Sequence, residues 1–236
     1  YGFNEISGLW ESAHSHYNAI DIDIHGKMGR VRISPMGAMK TAMATRLAGQ
    51  SFVSGTVASP IALDTNSWAT TPVGSGAVTQ GGGEATLTTA ATANSSCLVN
   101  SARVARYIGA NPNYYRGNLR LPAVTTASAG FVNIRRWGAF DANNGYFFRA
   151  IQTNPAVTPT LSVVSRKETS DTNITSFNGD AGTTYVLDNN IHTYEIWWSN
   201  KKAYFFIDDV LLHTITATTT TIIGTPSLKV GLQTIN

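Results

Sequence analysis

Hydrophobic and polar side chains alternate along much of the chain beyond about residue 50, and this period of two is typical of β-strands with one buried face. The strand-like stretches follow one another roughly every ten residues, with turn-forming residues between them. Residues 141–145, for example, read Asp, Ala, Asn, Asn and Gly, and such residues suit a tight turn. The stretches with the clearest strand pattern are residues 84–93, 131–137, 146–151, 160–165, 191–198, 203–208 and 210–215. The pattern predicts an all-β sandwich or barrel.

Residues 191–198 show the alternation most clearly. Tyr194, Ile196 and Trp198 fall on one face of this strand, while Thr193, Glu195 and Trp197 fall on the other. Large aromatic side chains in a sandwich are mostly core residues. We therefore expect four aromatic residues in the core, namely Trp137, Tyr194, Trp198 and Phe206.

Residues 1–48 differ in composition from the rest. They hold all four methionines and three of the five histidines, and Ile20, Ile22 and Ile24 alternate with polar residues as in a half-buried strand. A short helix is indicated by apolar residues three and four positions apart, at Met36, Met39, Met43 and Leu47. This region has too few large apolar residues to form its own core. We expect residues 1–48 to be an anchoring and assembly segment, and residues 49–236 to be the β-sandwich.

Composition and charge exclude several functions. The chain has 236 residues, of which 42% are hydrophobic and 13% are charged, with a formal net charge of +3. The basic residues occur at most in adjacent pairs, whereas a nucleic-acid partner would need a denser basic stripe. No stretch of roughly 18 apolar residues is present, so we expect no membrane insertion. The single cysteine, Cys97, excludes an intrachain disulfide and is expected to be buried in a strand.

A run of three glycines interrupts the strand pattern at residues 81–83. Glycine tolerates many backbone conformations, so the run predicts a flexible connection. A phosphate-binding loop would require a following Lys and a Ser or Thr, and Glu84 and Ala85 stand there instead.

Residues 191–214 read IHTYEIWWSNKKAYFFIDDVLLHT. This run resembles the paired back-sheet strands of concanavalin A-like jelly rolls, and laminarinase-type glycoside hydrolases and laminin G-like modules carry a similar pattern. Asp209 stands where that hairpin usually has Gly. Over a wider range, residues 136–150, 160–167 and 175–180 together with this run resemble a jelly-roll module of tailed-phage virion proteins.

The resemblance to phage modules implies a concanavalin A-like jelly roll with an extended N-terminal segment. It implies a non-enzymatic structural protein of the virion, either a capsid decoration or a fibre component. The expected partners are other virion subunits, including further copies of this chain, with a host surface glycan as a second candidate. The alternative is a carbohydrate-binding adhesin domain of a tail fibre.

A glycoside hydrolase is the third alternative. Hydrolysis of a glycosidic bond requires two carboxyl groups that flank the scissile oxygen. Laminarinase-type enzymes carry them on one strand as E-x-D-x-x-E or with one further residue, and none of the five glutamates here begins such a motif. Asp21 and Asp23 share one face of a predicted strand, but they lie far before the 191–198 strand and no glutamate accompanies them.

Metal and glycan sites have weaker signals. His14 and His16, with His25, Asp21 and Asp23, are candidate metal ligands. Residues 178–182 and 188–190 offer oxygen ligands for Ca²⁺, but turn chemistry explains the same residues, and we expect neither a cofactor nor a metal. Sugar rings would stack on aromatic side chains that are exposed, and the candidates are Trp197, Tyr204 and Phe206, or Tyr114 and Tyr115 with Arg116.

Overall fold

The computed structural model contains strands and turns, and no helix, in the part of the chain that it describes. That part comprises residues 2–4, 9–11, 49–89, 94–104, 113–122, 132–155, 157–199, 202–218 and 227–236. Contacts divide the chain into two units, Tyr1–Ala44 and Thr45–Asn236. The prediction of an all-β protein is confirmed. Among the described residues, no helix is long and apolar enough to cross a membrane.

The first unit contains one described hairpin, and the second contains the remaining strands. The fifteen strands are β1 (Gly2–Asn4), β2 (Leu9–Glu11), β3 (Trp68–Val73), β4 (Ala77–Gly81), β5 (Glu84–Thr88), β6 (Ser96–Ser101), β7 (Asn113–Arg120), β8 (Asn133–Phe140), β9 (Gly145–Gln152), β10 (Thr160–Lys167), β11 (Ser170–Ile174), β12 (Ile191–Trp198), β13 (Lys202–Ile207), β14 (Val210–Thr216) and β15 (Val230–Ile235). Strands β1 and β2 pair antiparallel with Phe3 opposite Trp10.

Two antiparallel sheets form the sandwich of the second unit. One has seven strands in the order β11-β10-β9-β8-β15-β6-β3, and the other has four in the order β14-β13-β12-β7. A separate hairpin is formed by β4 and β5. The last strand of the chain, β15, lies between β8 and β6 at the centre of the larger sheet, so closing this sheet requires pairing between residues that are more than 90 positions apart.

The core lies between the two sheets and is mostly aromatic. Trp137 from β8 contacts Tyr194 from β12 edge to face, with ring centroids 5.0 Å apart. Phe148 from β9 contacts Phe205 from β13 in the same way at 5.2 Å. Trp198 is 1% exposed and belongs to the same cluster. Rings of this size bury a large apolar area in edge-to-face geometry, and they hold the two sheets together.

Phe206 departs from the expectation that it belongs to this core. It is buried, but it pairs with Glu195 of β12, and it is absent from the clusters of core residues. Side chains at directly paired positions lie on the same face of a sheet, so Phe206 lies on the outer face of the four-stranded sheet. Phe205 points into the core instead. A register shift between Phe205 and Phe206 in the pairing with β14 accompanies this arrangement.

One local sequence signal has a different outcome from the one expected, and a second is not tested. The run Gly81–Gly83 forms the hairpin turn between β4 and β5, with Gly81 opposite Glu84 and positive φ at Gly82 and Gly83. Because those angles favour glycine, the run shapes a tight turn and is not a loose connection. The helix expected around Met36, Met39, Met43 and Leu47 lies outside the described residues, and the division at residue 48 stays a prediction.

Candidate functional site

The outer face of the four-stranded sheet carries a row of aromatic side chains that runs across three strands. Tyr114 of β7 lies opposite Trp197 of β12, and Trp197 lies opposite Tyr204 of β13. The rings of Tyr114 and Trp197 are 4.3 Å apart between centroids. Tyr114 is 41% exposed and Tyr204 is 36% exposed. We call Tyr114, Trp197 and Tyr204 the aromatic platform.

A buried carboxylate lies beside the platform. Glu195 precedes Trp197 by two positions in β12, so it points to the same outer face, and it is 1% exposed. The Tyr114 hydroxyl donates a hydrogen bond of 2.6 Å to Glu195 Oε1. Arg116 Nε lies 3.4 Å from the same oxygen, while the Arg116 side chain is 57% exposed. The carboxylate is therefore held by a phenol and a guanidinium whose outer parts remain in contact with solvent.

This geometry also determines the protonation state of Tyr114. Burial, followed by the hydrogen bond and the charge of Glu195, raises the pKa of Tyr114. The phenol therefore stays protonated at neutral pH and remains a donor to the carboxylate. The indole N–H of Trp197 is buried and has no hydrogen-bond acceptor. The hydroxyl of Tyr114 is therefore committed to Glu195 and the indole N–H of Trp197 is inaccessible, so the platform offers a ligand mainly aromatic surface.

A second charged cluster lies at the start of β12 and has a structural role. His192 is bound on both sides, with Nδ1 2.5 Å from Asp208 Oδ2 and Nε2 2.8 Å from Asp188 Oδ1. The hydrogen bond to Asp208 makes the largest contribution to raising the pKa of His192. Asp208 Oδ1 also accepts from the Thr193 amide at 2.8 Å. An imidazole with both nitrogens engaged by carboxylates has no lone pair for a metal or for a proton in catalysis, so this cluster fastens the β12–β13 hairpin.

The other predicted site residues are distributed as follows. His14, His16, His25, Asp21 and Asp23 lie outside the described residues. Where the structure describes side chains, no three His, Cys, Asp or Glu residues come together as a metal site requires. In the stretches offered for Ca²⁺, Asp188 accepts from the Asn190 amide at 2.7 Å as a turn residue does, whereas Asn178 accepts from the Thr214 amide at 2.7 Å and so binds strand β14.

The two sets of aromatic residues considered for sugar stacking meet on one face. The sequence did not show that Tyr114 and Arg116 would lie beside Trp197 and Glu195, because about eighty residues separate them. The signal that could have shown it is the alternation in β7, where Tyr114 and Arg116 are outward and Tyr115 is 5% exposed in the core.

Comparison with known proteins identifies the fold. No protein-family model and no curated protein matches the chain. Among solved structures, a glycoside hydrolase family protein from Mycobacterium thermorestibile is 14% identical, with a TM-score of 0.54 over 80% of this chain and 89% of that chain. A glycosyl hydrolase family 16 protein from Mycobacterium smegmatis is 11% identical, with a TM-score of 0.53 over 78% and 86%. A beta-1,3-glucanase from Mycobacterium marinum is 11% identical, with a TM-score of 0.52 over 82% and 88%. The protein thus has the jelly-roll sandwich fold of the concanavalin A-like class.

The same comparison corrects the expected function. The expectation of a non-enzymatic phage virion protein is wrong, because the neighbours are named as glycoside hydrolases and a glucanase, and no phage family is shown. The physical reason is that the stretches resembling phage modules, residues 136–150, 160–167, 175–180 and 191–214, are largely strands of the sandwich itself. The pattern over residues 191–214 consists of core aromatics and a hairpin turn, which specify the sandwich and are shared by proteins with different roles. At 11–14% identity the likeness shows the fold alone, so activity has to be argued from the site.

Proposed function

We propose that this protein is a carbohydrate-active protein that binds a glycan chain on the aromatic platform. The observation that carries the proposal is the row of Tyr114, Trp197 and Tyr204, with Glu195 held beside it. Exposed apolar side chains gathered in one place mark ligand sites. A sugar ring has an apolar face that suits an aromatic ring, and hydroxyls at its rim that suit charged hydrogen-bonding groups.

The dimensions of the platform support a chain-like ligand. Neighbouring strands of a sheet lie about 4.8 Å apart, so a row across three strands spans roughly 10 Å. That length accommodates about two sugar rings placed side by side. Arg116 and Asn118 extend the outward face along β7, and Asn118 Oδ1 accepts from the Thr193 hydroxyl at 2.9 Å.

The names of the structural neighbours suggest the first ligand to test. A beta-1,3-glucanase and family 16 hydrolases share the fold, which supports a β-glucan by analogy of fold. The outward positions of β7, β12, β13 and β14 in the described structure hold one carboxylate, Glu195. Hydrolysis by a pair of carboxyl groups requires a second carboxyl group near Glu195. The side chains of the platform therefore support a role in binding the glycan.

The test is titration of the purified protein with laminarin, followed by calorimetry and by migration in polyacrylamide gels that contain the polysaccharide. We expect Trp197→Ala to weaken binding by about thirtyfold, since removal of a central aromatic from a binding site costs about 2 kcal/mol. Trp197→Phe should retain most of the affinity, because the stacking surface remains. Val186→Ala is the matched control, since Val186 is 76% exposed away from the platform.

Three outcomes decide the proposal. Loss of binding in Trp197→Ala and Tyr204→Ala, with Val186→Ala unchanged, supports it. Equal affinity in all four proteins places the ligand elsewhere and overturns it. Absence of binding to laminarin and to a panel of other neutral polysaccharides overturns it as well.

Reducing ends released from laminarin are measured in the same samples, and release that is lost in Glu195→Gln would assign Glu195 a catalytic role at this platform.

A further inference from the structure

The outer face of the seven-stranded sheet carries three arginines on three adjacent strands. Arg136 of β8 lies directly opposite Arg149 of β9, and Arg166 of β10 lies opposite Asp171 of β11. All of these side chains point away from the core, because the residues next to Arg136 and Arg149, Trp137 and Phe148, point into it. We call Arg136, Arg149 and Arg166 the arginine cluster.

The cluster holds more positive charge than its partners neutralise. Asp171 binds Arg166 Nε at 2.7 Å and Arg149 Nη1 at 3.3 Å, so one carboxylate serves two guanidinium groups. Arg136 has no carboxylate partner among the described residues, and its Nη1 donates to Gln233 Oε1 at 3.3 Å. Three positive charges and one negative charge leave a surplus of two positive charges on this face.

The surplus charge is largely removed from solvent. The side chains of Arg149, Arg166 and Asp171 are only 14%, 11% and 16% exposed. Nε of Arg136 and Nε of Arg149 are buried, and neither has a hydrogen-bond acceptor. Burial makes the largest contribution to lowering the pKa of both arginines, and neighbouring arginine charges lower it further, while the charge of Asp171 acts in the opposite direction on both. An uncompensated buried charge is costly, so such an arrangement is stabilised when an anion binds against the more exposed parts of the guanidinium groups.

Two of the guanidinium groups are positioned by an aromatic ring. Cζ of Arg166 lies 5.2 Å and Cζ of Arg136 lies 6.0 Å from the centroid of Phe147, and Phe147 is fully buried. Contact with an aromatic face holds a guanidinium plane in a fixed orientation. Planar guanidinium groups held in this way match the oxygens of a carboxylate or sulfate, which accept two parallel hydrogen bonds.

We propose that the arginine cluster is a second binding site, specific for a multi-oxygen anion such as the carboxylate or sulfate group of an acidic polysaccharide. Arg136 and Arg149 supply the surplus positive charge, and Arg166 is held in place by Asp171. The site shares no residue with the aromatic platform and belongs to the other sheet. Failure of glycan binding on the platform would therefore not contradict this second site, and failure of anion binding would not contradict the platform.

The experiment compares dextran sulfate with dextran, which have the same sugar backbone and differ in their sulfate groups. Binding is measured by calorimetry at several concentrations of sodium chloride. The wild-type protein should bind dextran sulfate and not dextran, with an affinity that falls as salt rises. Arg136→Gln should weaken this binding by at least tenfold. Arg103→Gln, which removes the same charge from an exposed position, is the control and should change the affinity by less than twofold.

A second measurement separates a binding role from a structural one. Because Arg136 lacks a carboxylate partner, Arg136→Gln should leave the melting temperature in dilute buffer unchanged or raise it, while affinity for the anion falls. Arg136→Lys keeps the charge and removes the planar fork, so it should show an intermediate affinity. Equal losses of affinity for dextran sulfate in Arg136→Gln and Arg103→Gln would mean that binding depends only on the net charge of the protein. The proposed site would then be rejected. A lower melting temperature of Arg136→Gln with unchanged affinity would reject it too.

Competition identifies the source of the anion. Sodium sulfate and sodium polygalacturonate are added separately to the complex with dextran sulfate, at matched ionic strength. Displacement by polygalacturonate and not by sulfate supports an acidic polysaccharide as the ligand. Displacement by millimolar sulfate, without displacement by polygalacturonate, supports an anion site. It overturns the proposal that the ligand is an acidic polysaccharide.

Discussion

Trp197 and Trp198 are neighbours in strand β12, and they lie in different environments. Trp198 is 1% exposed within the aromatic core between the sheets. Trp197 points outward, half-buried against Tyr114 on the platform. In both residues the buried indole N–H lacks an acceptor. The burial of each ring offsets this cost, and on the platform it is the face of the Trp197 ring, not its N–H, that is available to a ligand.

The comparison shows that one strand serves two purposes because its side chains alternate. The inward residues, Tyr194, Ile196 and Trp198, hold the sheets together, and their identity is limited by packing in a dense interior. The outward residues, Thr193, Glu195 and Trp197, are not needed to hold the sheets together. The sandwich can therefore be the same in proteins that have different outer faces, so strand motifs such as residues 191–214 identify the fold and do not specify the function.

The largest expected effect tests this division directly. Trp198→Ala should lower the free energy of unfolding by about 3–5 kcal/mol, as for other truncations of buried aromatic residues. Trp197→Ala should lower it by only about 1 kcal/mol, because it loses a ring contact at a partly exposed site. Urea unfolding followed by circular dichroism measures both. An equal loss in the two variants would mean that the platform is part of the structural core and has no separate role.

The second prediction concerns the other outer face. Asp171→Asn should lower the free energy of unfolding by about 3 kcal/mol, because it leaves the largely buried Arg149 and Arg166 without their carboxylate. Glu84→Gln is the matched control. It breaks the ion pair with Arg120, in which both side chains are about half exposed, and exposed pairs contribute little. Similar effects in both variants would show that the arginine cluster is solvated and not buried.

The sequence predicted the strands whose alternation is strong and local. Strands β8, β9, β10, β12, β13 and β14 were expected from their own residues, and the structure has them with boundaries shifted by at most three residues. It did not predict β3, which contains Pro72; this strand is at the edge of its sheet, where proline is tolerated. Both candidate sites depend on which strands become neighbours. Glu195 meets Arg116 through a pairing that the local pattern cannot specify, whereas Arg136 meets Arg149 across a hairpin that the turn at residues 141–145 indicates.

A third and smaller expected effect concerns the backbone conformation of a turn and does not involve the side chains of either outer face. The turn between β10 and β11 has positive φ at Glu168 (48°) and at Thr169 (74°). A β-branched residue is strained in this conformation, whereas glycine is not. Thr169→Gly should therefore raise the free energy of unfolding by about 1 kcal/mol, measured by urea unfolding. Ser170→Gly, at the first position of β11, is the control and should be destabilising. A loss of stability in Thr169→Gly would mean that the threonine side chain makes a contribution larger than the strain.

The smallest expected effect concerns the edge of the inner face. His192 is on the same side of β12 as Tyr194, but it lies at the start of the strand, away from the β12–β13 turn, where Asp208 and Asp188 bind it. Their hydrogen bonds raise the pKa of His192, and hydrogen bonds, including those to His192, lower the pKa of both carboxyl groups. Exposed ion pairs of this kind contribute little and are screened by salt, so we expect a modest change in melting temperature.

The sign of the pH dependence follows from these directions. A raised pKa of His192 means that its contribution is complete below the unfolded value of about 6.5 and is lost as pH rises through the folded value. The lowered pKa values of Asp188 and Asp208 mean that their contribution is present above about 4 and is lost as pH falls. The melting temperature of the wild-type protein relative to His192→Gln should therefore be highest between about pH 4 and 6.5 and decline on both sides.

His213 provides a control of opposite sign, because burial lowers its pKa, so its contribution is present above about pH 6.5 and is lost as pH falls. If the difference between the wild-type protein and His192→Gln does not change with pH, His192 is not charged in the folded protein and only its packing matters.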